Sequence, residues 1–404
     1  FEGYTAQYLG DGLLIYFGYP RAHEDDAARA VRAGLHIVVG VQQLNRHLQK
    51  EVSVLHRRPL QIRIGIHTGL VVVSEMGKGE RRELMALGEA PNVANRLQKL
   101  AEPNTLVISA VTQRLTEGLF VHQALGEHEL RGVSSSVPVY RVIGEREVRN
   151  RFEVALAKGL TSLVGRERSR EVLIQAWDQA REGDSRVVLL SGESGIGKSR
   201  LVQTLKDQVA SEPHTRMEFH CSPYHQHSVL YPVIDLLHRV LSFAQEDTPE
   251  VRLQKLEELL EGGQSSLIAS AISPREARGL LAPLLSLPTP DERYLLQLTP
   301  QRQKQKTLDV LVNWLLALAE TQPVLLVVED LHWVDASTLE LLNLFVAQKP
   351  PARILTVMTF RPEFVPPWAR REYCTQLVLD RLSHEQAVTL VQSVAGEVTL
   401  PSEV

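Results

Sequence analysis

Cysteine is scarce in this sequence, and long hydrophobic runs are missing. Only Cys221 and Cys374 occur among 404 residues, which argues against a disulfide framework and favours a reducing cytoplasm. No apolar run approaches the roughly 20 residues that a membrane helix needs, and no signal peptide is recognisable. Because the chain starts at Phe1 within a pattern and stops at Val404 without a natural end, we expect it to be a fragment.

A strong excess of charge of either sign is also missing. The net charge is −4, with 18 basic and 16 acidic residues up to position 150 and a balance of −6 after it. Neither part is basic enough to predict a nucleic-acid groove. Apolar residues make up 44% and charged residues 23%, which is typical of folded globular domains. The length predicts two or three of them.

Two blocks of different pattern follow one another. The first, residues 1–144, mixes short strands with helices and predicts an α+β fold, beginning with two strands at 5–9 and 13–17 around a tight turn. A charged, weakly periodic stretch at 145–160 predicts a linker. The second block, residues 161–404, alternates helical stretches with apolar strands, which predicts a parallel α/β sheet. The predicted buried strands of this sheet are 187–190, 324–328 and 354–358.

A complete phosphate-binding loop opens the second block. Residues 192–199 read Gly-Glu-Ser-Gly-Ile-Gly-Lys-Ser, between an apolar strand and a helical pattern with Leu201, Val202 and Leu205 on one face. The glycines allow backbone N–H groups to face a polyphosphate. Lys198 brings a positive charge and Ser199 a hydroxyl for Mg²⁺. The bland alternative, a glycine-rich turn, leaves the Lys-Ser pair unexplained.

Acidic and basic residues follow two other strands of this block. Glu329 and Asp330 end an apolar strand, where one acid can hold Mg²⁺ and the other can orient or deprotonate water. The order of the two acids leaves their roles open, and a solvated strand end is the simpler alternative. Arg361 follows the strand at 354–358 and can reach a terminal phosphate or remain a surface cation. The absence of an Asn-Lys-x-Asp motif for guanine favours ATP.

Residues 160–400 resemble the signal-transducing, AAA-like ATPases of the STAND type. The resemblance rests on Gly165-Arg166-Glu167, the phosphate loop, the segment from Glu329 to Asp335, and Arg361. It implies a slow nucleotide-dependent switch, with Arg166 near the base and Arg361 sensing the γ-phosphate, while His332 and Trp333 are interpreted as packing. The predicted nucleotide-binding residues are Arg166, Gly192, Glu193, Ser194, Gly195, Ile196, Gly197, Lys198, Ser199, Arg200 and Arg361. Glu329 and Asp330 are the predicted catalytic acids and, with Ser199, the predicted metal ligands.

The first block contains a second set of candidate functional residues, Asp11, Asn92 and Arg96. Asp11 lies between two glycines at the tip of the predicted hairpin, although Asp-Gly is also an ordinary turn. Asn92 and Arg96 are four residues apart after Pro91, so they share one helix face. An amide beside a guanidinium can grip a ribose and a phosphate, whereas a polar helix face is the plainer alternative.

Together with Arg63-Ile-Gly-Ile-His-Thr-Gly69, these segments resemble a class III adenylate or guanylate cyclase domain, which implies a ferredoxin-like α+β fold. The resemblance covers residues 1 to about 143. It implies that Asp11 binds a catalytic Mg²⁺ or Mn²⁺, with a first metal aspartate expected upstream of Phe1. It also implies that Asn92 orients the ribose and that Arg96 stabilises the phosphate in the transition state. Class III sites form between two subunits, so a homodimer is implied, and a larger oligomer through the ATPase block is a further expectation.

Two departures from the cyclase pattern leave open whether the substrate base is adenine or guanine. Gln7 and Met85 stand where the family often has an adenine-reading lysine and aspartate, so ATP and GTP both remain candidate substrates. One hypothesis is a cytoplasmic signalling enzyme in which ATP binding gates cyclic-nucleotide synthesis. The other is a switch whose inactive cyclase-like block only dimerises or senses nucleotide. A nucleic-acid-associated initiator ATPase is a third interpretation, but it leaves residues 1–143 unexplained.

Overall fold

The computed structural model divides the chain into two compact units, residues 1–160 and 161–404. Almost all of the predicted linker lies outside the described residues. The structure describes residues 1–23, 25–51, 59–76, 83–129, 136–146, 163–244, 247–261, 273–288, 298–348 and 351–395.

The first unit is built on a four-stranded sheet with two smaller ribbons. Its elements are β1 Tyr4–Leu9, β2 Gly12–Tyr16, α1 Asp26–Glu51, β3 Arg63–Ile66, β4 Val72–Met76, β5 Glu83–Leu87, α2 Ala90–Leu100, β6 Thr105–Ser109, α3 Ala110–Leu115, β7 Phe120–His128 and β8 Val137–Glu145. The sheet order is β3-β6-β8-β7. Strands β3 and β6 run parallel, and the other neighbours are antiparallel. Mixed strand directions with helices confirm the predicted α+β class.

The helices α1 and α2 cover opposite faces of this sheet. Leu106 and Ile108 of β6 pack in one core with Val31 of α1. Val107, which points the other way, packs with Leu97 of α2. Strand β6 is therefore buried on both sides, and it fixes α2 against the sheet.

The predicted N-terminal hairpin is confirmed. Strands β1 and β2 pair antiparallel from Tyr4 opposite Tyr16 to Leu9 opposite Gly12. Gly10 has φ +66°, a left-handed conformation that glycine adopts without the clash of a side chain. This turn places Asp11 at the exposed tip of the ribbon.

Helix α2 approaches the backbone of β3 at Gly65. A Cβ atom at this position would lie 2.2 Å from the backbone nitrogen of Gln98 and 2.3 Å from the carbonyl oxygen of Ala94. Both atoms belong to the backbone of α2 and cannot rotate away. The glycine therefore sets the distance at which α2, and with it Asn92 and Arg96, lies on the sheet.

The second unit is a five-stranded parallel sheet. Its elements are α4 Glu167–Arg181, β9 Arg186–Gly192, α5 Lys198–Val209, β10 Thr215–His220, α6 Tyr231–Val240, α7 Pro249–Glu261, α8 Pro274–Leu284, α9 Pro300–Thr321, β11 Val324–Glu329, a 3₁₀ turn Leu331–Trp333, α10 Ala336–Gln348, β12 Ile354–Phe360, β13 Cys374–Leu379 and α11 His384–Ala395. The strand order is β10-β11-β12-β9-β13, and every neighbouring pair is parallel. The predicted parallel α/β fold is confirmed.

Helices pack on both faces of this sheet. Val188 and Leu190 of β9 lie in a core with Trp177 of α4 and Leu205 of α5. The alternate residue Leu189 lies in the larger core on the opposite face. The buried strands at 187–190, 324–328 and 354–358 were predicted from their apolar runs, whereas the edge strands β10 and β13 were not. Within the described ranges, none of the helices is both long enough and apolar enough to cross a membrane.

A charged cluster is buried beside the carboxyl end of β10. Lys206 lies on the otherwise apolar inner face of α5, with its side chain 7% exposed, and its Nζ is 3.0 Å from Glu218 Oε2 and 3.8 Å from Glu329 Oε1. Burial by itself raises the pKa of Glu218, but the hydrogen bond with His220 and the charge of Lys206 outweigh it and lower that pKa to about 2. The cluster therefore stabilises the fold while Glu218 is ionised.

We expect Gly65→Ala to push α2 away from β3 and to cost about 3 kcal/mol or more, because two backbone segments would have to separate. Hydrogen exchange of residues 90–100 in the full-length protein should then increase. Gly40 is the matched control, since it lies in α1 where an added Cβ atom would meet open space, and Gly40→Ala should stabilise by about 0.5–1 kcal/mol. Unchanged exchange in Gly65→Ala would contradict the close approach.

We expect Glu218→Gln to reduce stability at pH 7 and to lose this effect in acid. Because the folded pKa of Glu218 is about 2 against 4.5 unfolded, the stabilisation is present above about pH 4.5 and is lost as the pH falls toward 2. Linkage gives it a size of roughly 3 kcal/mol. Urea unfolding followed by tryptophan fluorescence reports on the second unit, which contains all four tryptophans.

The control for this pH series is Glu258→Gln, a change at an exposed position of α7. Its stability difference from the wild type should stay constant from pH 7 down to about pH 2, the range over which the effect of Glu218→Gln is lost. If the difference for Glu218→Gln is equally flat, Glu218 does not hold its charge through the cluster.

Candidate functional site

The carboxyl ends of the five parallel strands of the second unit meet at one edge. Strand register places Ser191 opposite Phe360, Val328 opposite Met358, and His220 opposite Glu329. The residues that follow these strands are therefore neighbours in space, although they lie far apart in sequence. This edge carries the phosphate loop, the two acids and Arg361.

The phosphate loop has the backbone that its glycines predict. Gly195 and Gly197 have φ angles of +73° and +104°, and Gly197 is the N-cap of α5. Ser194 is exposed and Ser199 is partly buried in the first turn of the helix. The N-terminal N–H groups of α5 therefore face the concave side of the loop, where an anion is favoured by both hydrogen bonds and the helix dipole.

Lys198 is folded into this loop. Its Nζ donates hydrogen bonds of 2.8 Å to the carbonyl oxygens of Gly192 and Glu193, and the residue is only 8% exposed. Burial lowers the pKa of Lys198, and the charge of Asp330 opposes that decrease. The ammonium group is thus held inside the loop, at the place where the β- and γ-phosphates would lie.

The two acids at the end of β11 occupy different surroundings. Glu329 is 5% exposed and has Lys206 at 3.8 Å and His220 at 3.6 Å. Asp330 adopts a left-handed conformation with φ 56° and ψ 44°, and its backbone N–H donates to Thr359 Oγ1 at 3.0 Å. That turn directs the two side chains to different neighbours.

Asp330 shares its surroundings with the two candidate phosphate-binding cations. The residue is exposed at the edge of the site, yet crowding by protein atoms and the adjacent Glu329 raise the pKa of its carboxyl group, while Lys198 and Arg361 lower it. Its carboxylate forms no ion pair or side-chain hydrogen bond within the part of the chain that the structure describes. The site thus combines an available carboxylate, an ammonium and a guanidinium.

Arg361 is supported by aromatic packing. Its Cζ lies 5.7 Å from the ring centroid of Trp333, a cation–π contact. His332 packs against Trp333 with ring centroids 4.8 Å apart, as expected from the sequence. Both of its ring nitrogens are buried without a hydrogen-bond partner among the described residues. Burial and the charges of Arg361 and Lys198 lower the pKa of His332 to about 4, so the ring is neutral at pH 7.

The guanidinium group of Arg166 contacts the backbone of the phosphate loop. Its Nη2 donates to the carbonyl oxygen of Ile196 at 3.3 Å and to that of Asp380 at 2.7 Å. Burial lowers the pKa of Arg166, although the nearby Asp380 raises it. The contacts tie the start of the second unit to the loop and to the end of β13. Arg200 lies in the first turn of α5, where its carbonyl oxygen accepts from Thr204.

Asp335 is a structural residue whose role was not predicted from the sequence. It is 3% exposed, and its Oδ1 accepts 3.0 Å hydrogen bonds from the backbone N–H groups of Ser337, Thr338 and Leu230. The first two bonds cap α10, and the third fixes the segment after β10. An acid two residues before a run of Ser and Thr is a recognisable helix-start signal.

The candidate residues of the first unit lie on two separate elements. Asn92 is exposed and Arg96 half-buried on α2, and Asp11 is exposed at the tip between β1 and β2. Among the described residues, none of the three side chains forms a hydrogen bond or an ion pair. Within the described part of this unit, the polar groups expected to meet a substrate are therefore unengaged, and no hydrogen bond or ion pair joins any two of them.

The other cyclase-like segment is fixed to the sheet. Nδ1 of His67 lies 2.7 Å from Ser109 Oγ, and the hydroxyls of Thr68 and Thr112 are 3.0 Å apart. Burial lowers the pKa of His67, while Glu89 raises it. These contacts hold the end of β3 against the end of β6 and the start of α3.

Comparison with known proteins assigns both units. Residues 2–144 match the adenylate and guanylate cyclase catalytic domain, and residues 162–357 match the AAA ATPase domain. An uncharacterized protein of Rhizobium meliloti is 28% identical over 396 residues, which cover 95% of this chain and 36% of that protein. Adenylate cyclase 1 of the same organism is 27% identical over 158 residues, or 39% of this chain and 23% of that protein. The chain spans about a third and about a quarter of the length of these two relatives.

Among solved structures, the crystal structure of the guanylyl cyclase Cya2 is 29% identical and has a TM-score of 0.34, covering 37% of this chain and 73% of that chain. The two family matches occupy the two units in the order that the sequence motifs indicated. The chain thus joins a domain of the adenylate and guanylate cyclase catalytic family to a domain of the AAA ATPase family.

Proposed function

We propose that this chain is the core of a signalling protein in which a STAND-type ATP switch is coupled to a nucleotidyl cyclase. The observation that carries the ATPase half is the meeting of Lys198, Asp330 and Arg361 at one sheet edge, beside the N-terminus of α5. Because a triphosphate needs fixed cations, backbone donors and a metal-binding carboxylate together, this arrangement supports ATP as its ligand. Arg166 would steady the loop from the side of the base.

The residues at this edge fit a hard divalent cation. Ser199 offers a hydroxyl oxygen and Asp330 an available carboxylate, which are the oxygen ligands that Mg²⁺ prefers. Bound Mg²⁺ or Mn²⁺ would neutralise charge on the β- and γ-phosphates. Lys198 would hold these phosphates, Arg361 would respond to the γ-phosphate, and the acids Glu329 and Asp330 are the candidates to orient the attacking water.

The observation that carries the cyclase half is the set of polar side chains on α2 and at the hairpin tip that have no partner among the described residues. Asn92 would orient the ribose, and Arg96 would neutralise charge on the phosphate during ring closure. Asp11 has no ion-pair partner among the described residues and offers a carboxylate suited to Mg²⁺ or Mn²⁺, which would supply charge stabilisation at the reacting oxygens. The product would be cyclic AMP or cyclic GMP.

Exposed apolar side chains support a homodimer through this unit. Tyr8 is 81% exposed, Leu70 99% and Val72 67%, whereas isolated soluble domains seldom leave such side chains free in numbers. A second copy would cover them and would bring its own Asn92 and Arg96 toward Asp11. We further infer assembly through the ATPase unit and a cytoplasmic location, where ATP is available and the unpaired Cys221 and Cys374 remain reduced.

An inactive cyclase-like module is the second candidate. Gln7 and Met85 replace the lysine and aspartate with which the cyclase family often reads adenine, and this observation favours a unit that dimerises or senses nucleotide without ring closure. In that case ATP-driven assembly of the second unit would be the output.

We expect Lys198→Ala to weaken ATP binding at the second unit by at least about 100-fold, because the loop loses its only inward-facing ammonium among the described residues. Titration calorimetry with a non-hydrolysable ATP analogue and Mg²⁺ measures it, in an Asp11→Ala/Asn92→Ala background that removes the proposed metal ligand and ribose contact of the cyclase site. Lys304 pairs with Glu340 on the surface, so Lys304→Ala is the matched control and should bind like the wild type. Equal affinity of all three proteins would refute the ATP site.

We expect Asp11→Ala and Arg96→Ala each to abolish cyclic-nucleotide formation by the full-length protein, and a mixture of the two variants to recover activity. A mixed dimer would contain one intact site of two, so random exchange predicts about a quarter of the wild-type rate. Removing Arg96 alone corresponds to about 3–4 kcal/mol of barrier.

The same assay separates the two candidate functions. A wild type that makes neither cyclic AMP nor cyclic GMP with Mg²⁺ or Mn²⁺ would establish the inactive module. An active wild type with no recovery in the mixture would mean that the site does not form between two copies.

A further inference from the structure

The two acids that end β11 differ in what surrounds their oxygens. Both oxygens of Glu329 face protein: Oε1 is 3.8 Å from Lys206 Nζ, and Oε2 is 3.6 Å from His220 Nδ1. Its side chain is 7% exposed. Asp330, the next residue, is exposed, and its carboxylate has no such partner within the described ranges.

A second carboxylate completes the arrangement around Glu329. Lys206 Nζ is 3.0 Å from Glu218 Oε2, and His220 Nε2 is 3.4 Å from the same oxygen. Lys206 and His220 thus each bridge Glu218 and Glu329. We call these four side chains the Lys206 cluster. The parallel register that sets His220 opposite Glu329, and the inward position of Lys206 on α5, build it into the fold.

Holding Glu329 in this way has a consequence for the triphosphate site. Two carboxylates beside each other in one site repel, and they would compete for one Mg²⁺. With Lys206 Nζ 3.8 Å and His220 Nδ1 3.6 Å from the oxygens of Glu329, one carboxylate remains for the nucleotide. That carboxylate belongs to Asp330, whose N–H donates to Thr359 Oγ1 at 3.0 Å. Crowding by protein atoms and the adjacent Glu329 raise its pKa, whereas the charges of Lys198 and Arg361 lower it.

We propose that Lys206 and His220 are positioning residues that hold Glu329 out of the nucleotide site, so that Asp330 is the acid that faces the triphosphate and its metal. This inference rests on the proposed ATP site and assigns different roles to its two acids. Lys206 is two turns beyond the phosphate loop. Its ion pairs within the described residues are with Glu218 and Glu329, and it acts on the site only through Glu329.

Carboxyl labelling with a water-soluble carbodiimide and an amine tests the arrangement without any need for turnover. Tandem mass spectrometry separates the two adjacent acids in the full-length protein. We expect Asp330 to be labelled at least about tenfold more than Glu329 because charged pairs buried in protein exclude solvent. Mg²⁺ with a non-hydrolysable ATP analogue should protect Asp330. Lys206→Met should raise the labelling of Glu329, whereas Lys206→Arg should leave it low.

Each outcome of the labelling has one meaning. Equal labelling of Glu329 and Asp330 in the wild type overturns the inference. Strong labelling of Asp330 that nucleotide does not reduce leaves the arrangement of the acids intact but refutes the ATP site. Lys304→Met is the control, because Lys304 forms a surface pair with Glu340, and it should change neither acid.

ATP turnover then distinguishes positioning from a purely structural role of Lys206. We expect Asp330→Asn to lower kcat by at least about 100-fold and Glu329→Gln by less than about tenfold. Lys206→Met should lower kcat with little change in nucleotide affinity. In a Glu329→Gln background the same change should have little effect, since residues that act through one contact are not additive. Additive losses, or a larger loss for Glu329→Gln than for Asp330→Asn, would overturn the inference.

Discussion

The parallel register of β9, β11 and β12 is the constraint on which the candidate nucleotide site depends. Parallel strands end at the same edge of the sheet. The residues that follow Gly192, Glu329 and Phe360 are therefore neighbours in space, although they are far apart in the sequence. Apolar side chains on both faces hold these strands in place. Burial of these apolar side chains fixes the register of the strands, and the register brings Lys198, Asp330 and Arg361 together.

Charge at that edge also has to be balanced within the protein. Buried ionised groups are tolerated only when they are paired, and Lys206 pairs with Glu218 and Glu329 from the helix whose first turn closes the phosphate loop. Helix α5 thus contacts both the phosphate loop and β10, and Asp335 fixes the segment after β10 to the start of α10.

The features predicted from the sequence are those with a local signal. Glycine placement and apolar periodicity can be recognised within a short stretch of sequence. For this reason the sequence predicted the phosphate loop, the central strands and the apolar face of α5. The edge strands β7, β10 and β13 were missed, since an edge strand carries polar residues such as Arg216 and Glu218 that hide its pattern. Lys206 was missed for the opposite reason: a lysine within an apolar helix face gives no sign of its partners on another strand.

The first unit shows a different limit of prediction from sequence. Asp11, Asn92 and Arg96 are local signals on a hairpin and a helix, and Gly65 sets the depth of that helix by backbone contact. Their chemistry, however, needs groups brought together across space, and the described part of one copy leaves all three unengaged. Under the proposed function, Asp11 of one copy and Asn92 with Arg96 of another are two halves of one site, and the assembly, rather than the fold of one chain, would bring them together.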